Sequence, residues 1–330
     1  MAGVRARDVA ARAGVSVGSV SNFFNRPELV SSENRERIRE AIAALDYVPN
    51  DSARQLRGRH PRTIAYLTFE IDSPFAAAVY EGADLRAAEL GYTLVAASSR
   101  GDVAREAEYL DFFERRRLSG ILVSPLGDVR SQLEEIHRRG TAVATIDRSM
   151  PDVPFPVVGV DDELGGRLAA QHLAGLGFDR IVFVGADSEM DIIARRVRGA
   201  QSAHGITLEA RPVAARTVEG GRAFMEERLS ARRGAEAYLA VNDLVALGLF
   251  QVMRREGVER DSAVVGFDDL EILHDVVSLS SVRRPSHELG RIAVGALDAA
   301  IRDEPAPTPR WLAPQLEVRE SSRPARRDTP

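Results

Sequence analysis

From Ile64 to Gly266 the chain repeats one pattern: a short apolar run of strand length, a polar break, then an amphipathic stretch of helical period. Candidate strands fall at 64–69, 92–97, 120–124, 141–146, 157–160, 180–184, near 211–214, 237–241 and 263–266. Strands alternating with helices through short connections predict parallel sheets covered on both faces. The pattern restarts after the proline-rich stretch 151–156, which predicts two lobes around a cleft. One helix runs through Val79, Leu85 and Leu90 to Gly91, and the helix from Val103 turns Leu110, Phe112 and Phe113 inward.

The first sixty residues are of another kind. Residues 6–13 place Val9, Ala10 and Ala13 on one helical face, and Gly14 can take the left-handed conformation that ends a helix. Ser16 is a good N-cap for a second helix, Val17 to about Phe24, ended by Asn25-Arg26-Pro27. Ser31 caps a third, with Ile38, Ile42 and Leu45 as its core stripe. Helix, glycine turn and helix at this spacing form a helix-turn-helix, although a hairpin that merely packs has the same outline. With Val20 turned inward, Val17, Gly18, Ser21 and Asn22 lie on the outer face, where a recognition helix meets base edges. Ser16, Ser19, Ser21 and Asn25 suit phosphate oxygens.

Charge divides the chain in the same place. Residues 1–60 hold ten Arg and seven acids, a net of +3, and the remainder carries a net of −8. A nucleic-acid partner is therefore expected at the first segment. The 330 residues include no cysteine, which excludes disulfides, thiolate metal sites and cysteine catalysis. No apolar run reaches the length of a membrane span and no signal peptide is visible, so a cytoplasmic protein without membrane contact is expected.

The run Asp8-Val9-Ala10, Ala13-Gly14-Val15-Ser16, Ser19-Val20-Ser21, Asn25, Val30-Ser31, Arg35, Leu45-Asp46-Tyr47-Val48-Pro49-Asn50 and Ala53-Arg54-Gln55-Leu56 resembles the headpiece of the lactose-repressor/galactose-repressor (LacI/GalR) family. The likeness continues through Asp72 to Phe75, Gly120-Ile121-Leu122, Asp147-Arg148, Val160-Asp161-Asp162, Arg196 to Gly199, Val241-Asn242-Asp243, Val265 to Asp269, Ser280 to Pro285 and Leu316 to Ser321. It implies an all-α helix-turn-helix headpiece joined to an α/β two-lobed domain like the periplasmic sugar-binding proteins. The headpiece would be 1–48, a hinge 49–60, the two-lobed effector and dimerisation domain 61–323, and a tail 324–330. The first lobe would hold about 62–160 and 286–308, the second about 161–285 and 309–323.

In such a family the hinge forms a helix on operator binding, with Leu56 wedged into the minor groove and Ala53 beside it. Residue by residue this is reasonable: Asn50 can cap, Ala53 and Leu56 share a face, and about nine residues are too few to stay helical alone in water. The DNA-facing set is then Ser16, Val17, Gly18, Ser19, Ser21, Asn22, Asn25, Ser31, Ala53 and Leu56. Val17, Gly18 and Asn22 depart from the longer polar residues common in the family. A Val can touch a thymine methyl and Asn22 can read adenine.

Ligands of parallel sheets sit at the carboxyl ends of strands. Those ends supply Asp72 to Phe75, Ser124-Pro125, Asp147-Arg148, Asn242-Asp243 and Gly266 to Asp269, joined by Arg195-Arg196 on a following helix. Carboxylates, an amide and guanidinium groups grip neighbouring sugar hydroxyls. The resemblance places effector contacts at Asp72, Phe75, Asp147, Arg196, Asn242 and Asp268, with Arg195 a neighbouring surface charge and Phe75 either stacking on a sugar or opening its helix as a core residue. Many members carry Gln where this chain has Arg284. A surface arginine is the simpler reading, and an arginine in the cleft would point to an anionic effector.

The expectation is a dimeric DNA-binding regulator, a repressor of carbohydrate-use genes. It would bind a near-palindromic double-stranded operator and answer to a sugar or sugar derivative. A nucleoside, another metabolite or a protein co-regulator is the alternative. An enzyme is disfavoured, since no nucleophile–base set accompanies the acidic pairs, no His spacing suits zinc and no Gly-x-Gly-x-x-Gly follows the first strand. No catalytic residue, metal or cofactor is expected. A transport binding protein would explain the lobes but not the first sixty residues. The tail lacks leucine heptads, so a dimer rather than a tetramer is expected.

Overall fold

The structure, a computed structural model, describes residues 4–47, 62–186, 190–230, 236–305 and 310–323. The expected hinge, with Ala53 and Leu56, lies outside the described residues. The chain divides into two compact units, Met1–Pro61 and Arg62–Pro330.

The first unit has helices α1 (Ala6–Ala13), α2 (Val17–Asn25) and α3 (Ser32–Leu45). Gly14 closes α1 at φ 64°, and Val15 N–H donates back to the Ala10 carbonyl at 3.0 Å. Only glycine takes that conformation without a Cβ penalty. The hydroxyl of Ser16 accepts from Ser19 N–H at 3.0 Å, and that of Ser31 from Asn34 N–H at 3.3 Å, so both serines cap the helices they precede. Val9, Ala10, Ala13, Val20, Val30, Ile38 and Ala41 form the core.

The second unit contains two six-stranded sheets. The first has order β11-β5-β4-β3-β1-β2, from β1 (Thr63–Thr68), β2 (Thr93–Ser98), β3 (Gly120–Val123), β4 (Ala142–Ile146), β5 (Val157–Val160) and β11 (Arg310–Leu312). All its pairings are parallel. The second has order β12-β10-β9-β8-β6-β7, from β6 (Arg180–Val184), β7 (Thr207–Arg211), β8 (Ala237–Ala240), β9 (Ala263–Asp268), β10 (Ser280–Arg283) and β12 (Gln315–Glu317), with only β12 antiparallel. Helices α4 (Pro74–Glu89), α5 (Val103–Arg115), α6 (Arg130–Arg138) and α11 (Ser286–Ile301) cover the first sheet. Helices α7 (Asp162–Gly175), α8 (Asp191–Gln201), α9 (Val218–Ser230) and α10 (Asp243–Glu256) belong with the second. The chain crosses between lobes after β5, β10 and β11, so each lobe is built from separated stretches.

Paired helices approach through glycines. A Cβ on Gly166 of α7 would lie 2.0 Å from the Arg196 carbonyl oxygen, and one on Gly199 of α8 would lie 1.9 Å from that of Glu163. The α4–α11 pair repeats this with Gly82 and Gly290, and α9–α10 with Gly221 and Gly248. No larger residue lets backbones come so near.

Three expectations are corrected. The strand placed near 211–214 is β7 at Thr207–Arg211, an edge strand paired to β6 alone; Pro212, lacking an N–H, does not continue it. Phe112 is 42% exposed under the Arg116 guanidinium, while Leu110 and Phe113 are buried. Positions three apart share a helix face, and Phe112 does not lie on that face. Residues 310–312 belong to the first lobe, because β11 pairs with β5 and places Trp311 against Gly159. Among the described residues no helix is long and apolar enough to cross a membrane.

Candidate functional site

In the first unit, α2 leaves Val17 and Gly18 exposed and Ser19, Ser21 and Asn22 half-buried, while Val20 packs inward. The Ser16 and Ser31 hydroxyls spend acceptor capacity on their caps. The Ser31 hydroxyl keeps an O–H donor that suits a phosphate oxygen, while that of Ser16 lies 3.0 Å from the Ser19 hydroxyl, one of the two donating to the other. The Asn25 side chain, like Ala53 and Leu56, is outside the described residues.

In the second unit, Phe75, Asp147, Arg196, Asn242 and Asp268 line one cavity between the lobes. It is about 70 Å³, room for a few waters at roughly 10–15 Å³ each. Asp72 does not join them: it is exposed and lines a wider groove at the cleft mouth, beside Arg100 and Thr217. It sits in the loop before α4, too early in the chain to turn inward with Phe75.

Each of the five is already engaged. Asn242 caps α10, accepting from Val245 N–H at 2.9 Å and donating to the Arg216 carbonyl at 3.2 Å. Arg196 donates to Asp162 at 2.9 Å and to the Val241 carbonyl at 2.5 Å, and lies 4.3 Å over the Phe267 ring. Asp147 accepts from Val160 N–H at 3.1 Å and from Arg284 at 2.6 Å. Asp268 accepts from Arg284 at 3.4 Å. Asp147 and Asp268 take φ of 63° and 104°, backbone uncommon outside glycine and held here by these contacts. Phe75 has the Arg284 guanidinium 3.7 Å from its ring centroid, so one ring face is covered rather than open to a sugar.

Two arginines depart from their expected surface positions. Arg284 is 3% exposed, because the chain passes it from β10 to α11 through the interior of the cleft. Arg195 is 8% exposed and donates to Asp162 and to the Val160 carbonyl, stacked 4.4 Å over Trp311. Both converge with Arg196 on Asp162, which is fully buried at the start of α7. Burial pushes the Asp162 carboxyl up, but Arg284, Arg196 and Arg195 outweigh it and hold it below its ordinary value. Burial pushes Asp268 up, offset in part by Arg284 and Arg196. Further contacts tie the lobes at the cleft margin: Glu70 to Arg216 at 2.8 Å, and Ser149 N–H to Asp191 at 3.3 Å. Arg284 obeys the same strand-end rule that found Asp147. Its strand, Ser-Ser-Val-Arg, carries too little apolar signal to be recognised.

Asp243, next to Asn242, is held well above the ordinary carboxyl value by burial and by the nearby charge of Asp268. It meets the Ser281 hydroxyl at 2.5 Å and accepts from Leu270 N–H at 2.8 Å. A raised folded-state pKa gives stability that is complete below the unfolded value of about 3.9 and is lost as pH rises through the folded value. An Asn can keep both contacts without ionising. Asp243→Asn should therefore match the parent in acid and gain on it as pH rises, read from urea midpoints across pH. A gap that stays constant with pH would show that Asp243 does not titrate in this way.

Residues 6–50 match the family described as bacterial regulatory proteins, lacI family, and residues 170–322 match the periplasmic binding protein-like domain. Similar curated proteins include the HTH-type transcriptional regulator DegA of Bacillus subtilis (strain 168), 29% identical over 96% of this chain and 97% of that protein. Another is the HTH-type transcriptional repressor PurR of Aliivibrio fischeri (strain ATCC 700601 / ES114), 28% identical over 90% and 92%. Among solved structures, the lac repressor dimer bound to operator and the anti-inducer ONPF superposes with a TM-score of 0.84 at 25% identity, over 97% of this chain and 99% of that one.

Proposed function

Because this chain belongs to the lacI family of bacterial regulatory proteins, a DNA-binding transcriptional regulator with an effector-binding domain, we propose that it is a cytoplasmic, dimeric repressor released by a sugar-type metabolite in the inter-lobe cleft. The observation that carries the reading is the joint presence of two features. One is a three-helix unit whose second helix leaves Val17 and Gly18 exposed. The other is a two-lobed unit whose cleft is crossed by hydrogen bonds and ion pairs. Two such units in a dimer would meet the half-sites of a near-palindromic operator.

Support for the dimer comes from large apolar side chains left in water. Leu85 and Val95 on the first lobe are 53% and 39% exposed, and Ile272 and Val276 on the second are 75% and 73% exposed. A second copy packed on either lobe would take these side chains out of water.

The proposed control is linkage. A ligand entering the cleft sits among the groups that tie the lobes together, such as the Arg216–Glu70 pair, so its affinity depends on how the lobes are set. By reciprocity operator DNA changes ligand affinity by the same factor. Removing residues 1–61 should abolish operator binding in a gel shift and leave the thermal response to ligand intact. DNA binding that survives the truncation would refute the assignment of DNA recognition to the first unit.

A further inference from the structure

We propose that Arg284 makes the cleft selective for an acidic sugar, one bearing a carboxylate or phosphate, over its neutral counterpart. The inference rests on the reading of the cleft as the effector site. Three observations converge on it.

The groups that would grip a neutral polyol are partly occupied. Asp147 accepts from Val160 N–H at 3.1 Å and from Arg284 at 2.6 Å, so both of its oxygens are engaged, while one oxygen of Asp268 has Arg284 at 3.4 Å. The aromatic face that would lie against a sugar ring has the guanidinium 3.7 Å from its centroid. A neutral sugar that took the place of Asp268 on this buried cation would offer it only hydroxyls in exchange for a carboxylate.

One donor at the cavity is unused. Among the described residues, Nε of Arg284, which lines it, is buried without a hydrogen-bond partner. The Arg284 Nε lies 3.6 Å from Asp162, close enough to feel its charge and too far to donate well. Arg196, on the same cavity, spends Nε and Nη1 on Asp162 and the Val241 carbonyl. A guanidinium carries five N–H groups in a fixed fork, which matches a planar carboxylate or a phosphate. Arg284 is thus a guanidinium on this cavity with a donor to spare.

The existing partners differ in strength. The 3.4 Å contact to Asp268 is long, while the 2.6 Å contact to Asp147 is short. An incoming oxyanion therefore replaces Asp268 on Nη1 and leaves Asp147 to hold the guanidinium in place. Burial already works against ionised Asp268, which makes it the group that gives way. Asp268 and Arg284 end neighbouring strands of the second sheet, so this exchange stays within one lobe and leaves the Arg284–Asp147 pair across the cleft.

The test uses the full chain, with thermal unfolding and calorimetric titration against matched pairs: glucuronate and glucose, galacturonate and galactose, glucose 6-phosphate and glucose. At least one acid should raise the unfolding midpoint at concentrations where its neutral partner does not. Uronate and phosphate arms show which oxyanion is preferred. Arg284→Gln should weaken the acid at least about tenfold and bring the neutral partner up to it. Arg284→Lys keeps the charge, loses the fork, and should retain the preference at lower affinity; it decides the matter should the Gln variant fail to fold. The proposal is overturned by a neutral sugar that binds the parent as tightly as its acid, by a preference that survives Arg284→Gln, or by a panel in which no acid binds. In the last case, a neutral sugar or nucleoside that still raises the midpoint removes only the acidic class. Silence across all ligands removes the effector-cleft reading as well.

Discussion

Asp162→Asn should lower the stability of the two-lobed unit by about 3–5 kcal/mol, the usual cost of leaving buried charge without its partner. The side chain is fully buried and receives Arg195 and Arg196 at 2.9 Å each, with Arg284 at 3.6 Å. Asn keeps the shape, removes the charge and turns an N–H₂ group toward a guanidinium. The thermal midpoint should fall on the order of 10 °C, taking roughly 2–4 °C per kcal/mol for a unit of this size. The pH dependence has a definite sign. Because the folded-state carboxyl is held below its ordinary value, its contribution is present above about 3.9 and is lost as pH falls through the folded value. The gap between parent and variant should be full at neutral pH and close in strong acid. A loss under about 1 kcal/mol at neutral pH would mean that the three arginines are not sealed from solvent.

Gly199→Ala is the second large effect, and it tests backbone approach rather than charge. The added carbon would stand 1.9 Å from the Glu163 carbonyl oxygen, where the neighbour is another helix's backbone and cannot rotate away. The helices α7 and α8 must part, at a cost of about 1–3 kcal/mol or more. Parting them also moves Arg196, three residues before Gly199, away from Asp162 and the cavity. Ligand affinity should fall with stability. Gly175→Ala, at the end of the partner helix α7 with open space around it, should lower neither. Equal behaviour of the two variants in thermal unfolding and ligand titration would refute the close-crossing account.

The headpiece was almost wholly legible because its signals are local. Ser16 and Ser31 cap the helices that follow them, and Gly14 supplies the one conformation that turn needs. The parallel sheets were legible for a similar reason: strands buried on both faces read as short apolar runs, as Ile121-Leu122-Val123 and Val182-Phe183-Val184 do. Edge strands gave less. β7 alternates weakly and lies half in solvent, and β11 is three residues long, so the sheet that owns it cannot be read from its own composition.

The cleft was legible in part. A strand's carboxyl end locates Asp147, Asn242 and Asp268 because the rule needs only a strand and its direction. Nothing local distinguishes Arg195 and Arg284 from the exposed arginines that abound in this chain. Arg283 and Arg284 are adjacent, yet the first is exposed and the second buried.

The sequence by itself determined the elements, their order, the division into two units and the residue types at the strand ends. These follow from periodicity, capping and family likeness. Only the tertiary structure decided that three arginines and three aspartates, spread from Asp147 to Arg284, close on one another between the lobes. The reason is physical. An arginine's role depends on whether water or a carboxylate surrounds it, and three crossings of the chain between the lobes, together with glycine-lined helix contacts, bring those distant carboxylates within reach.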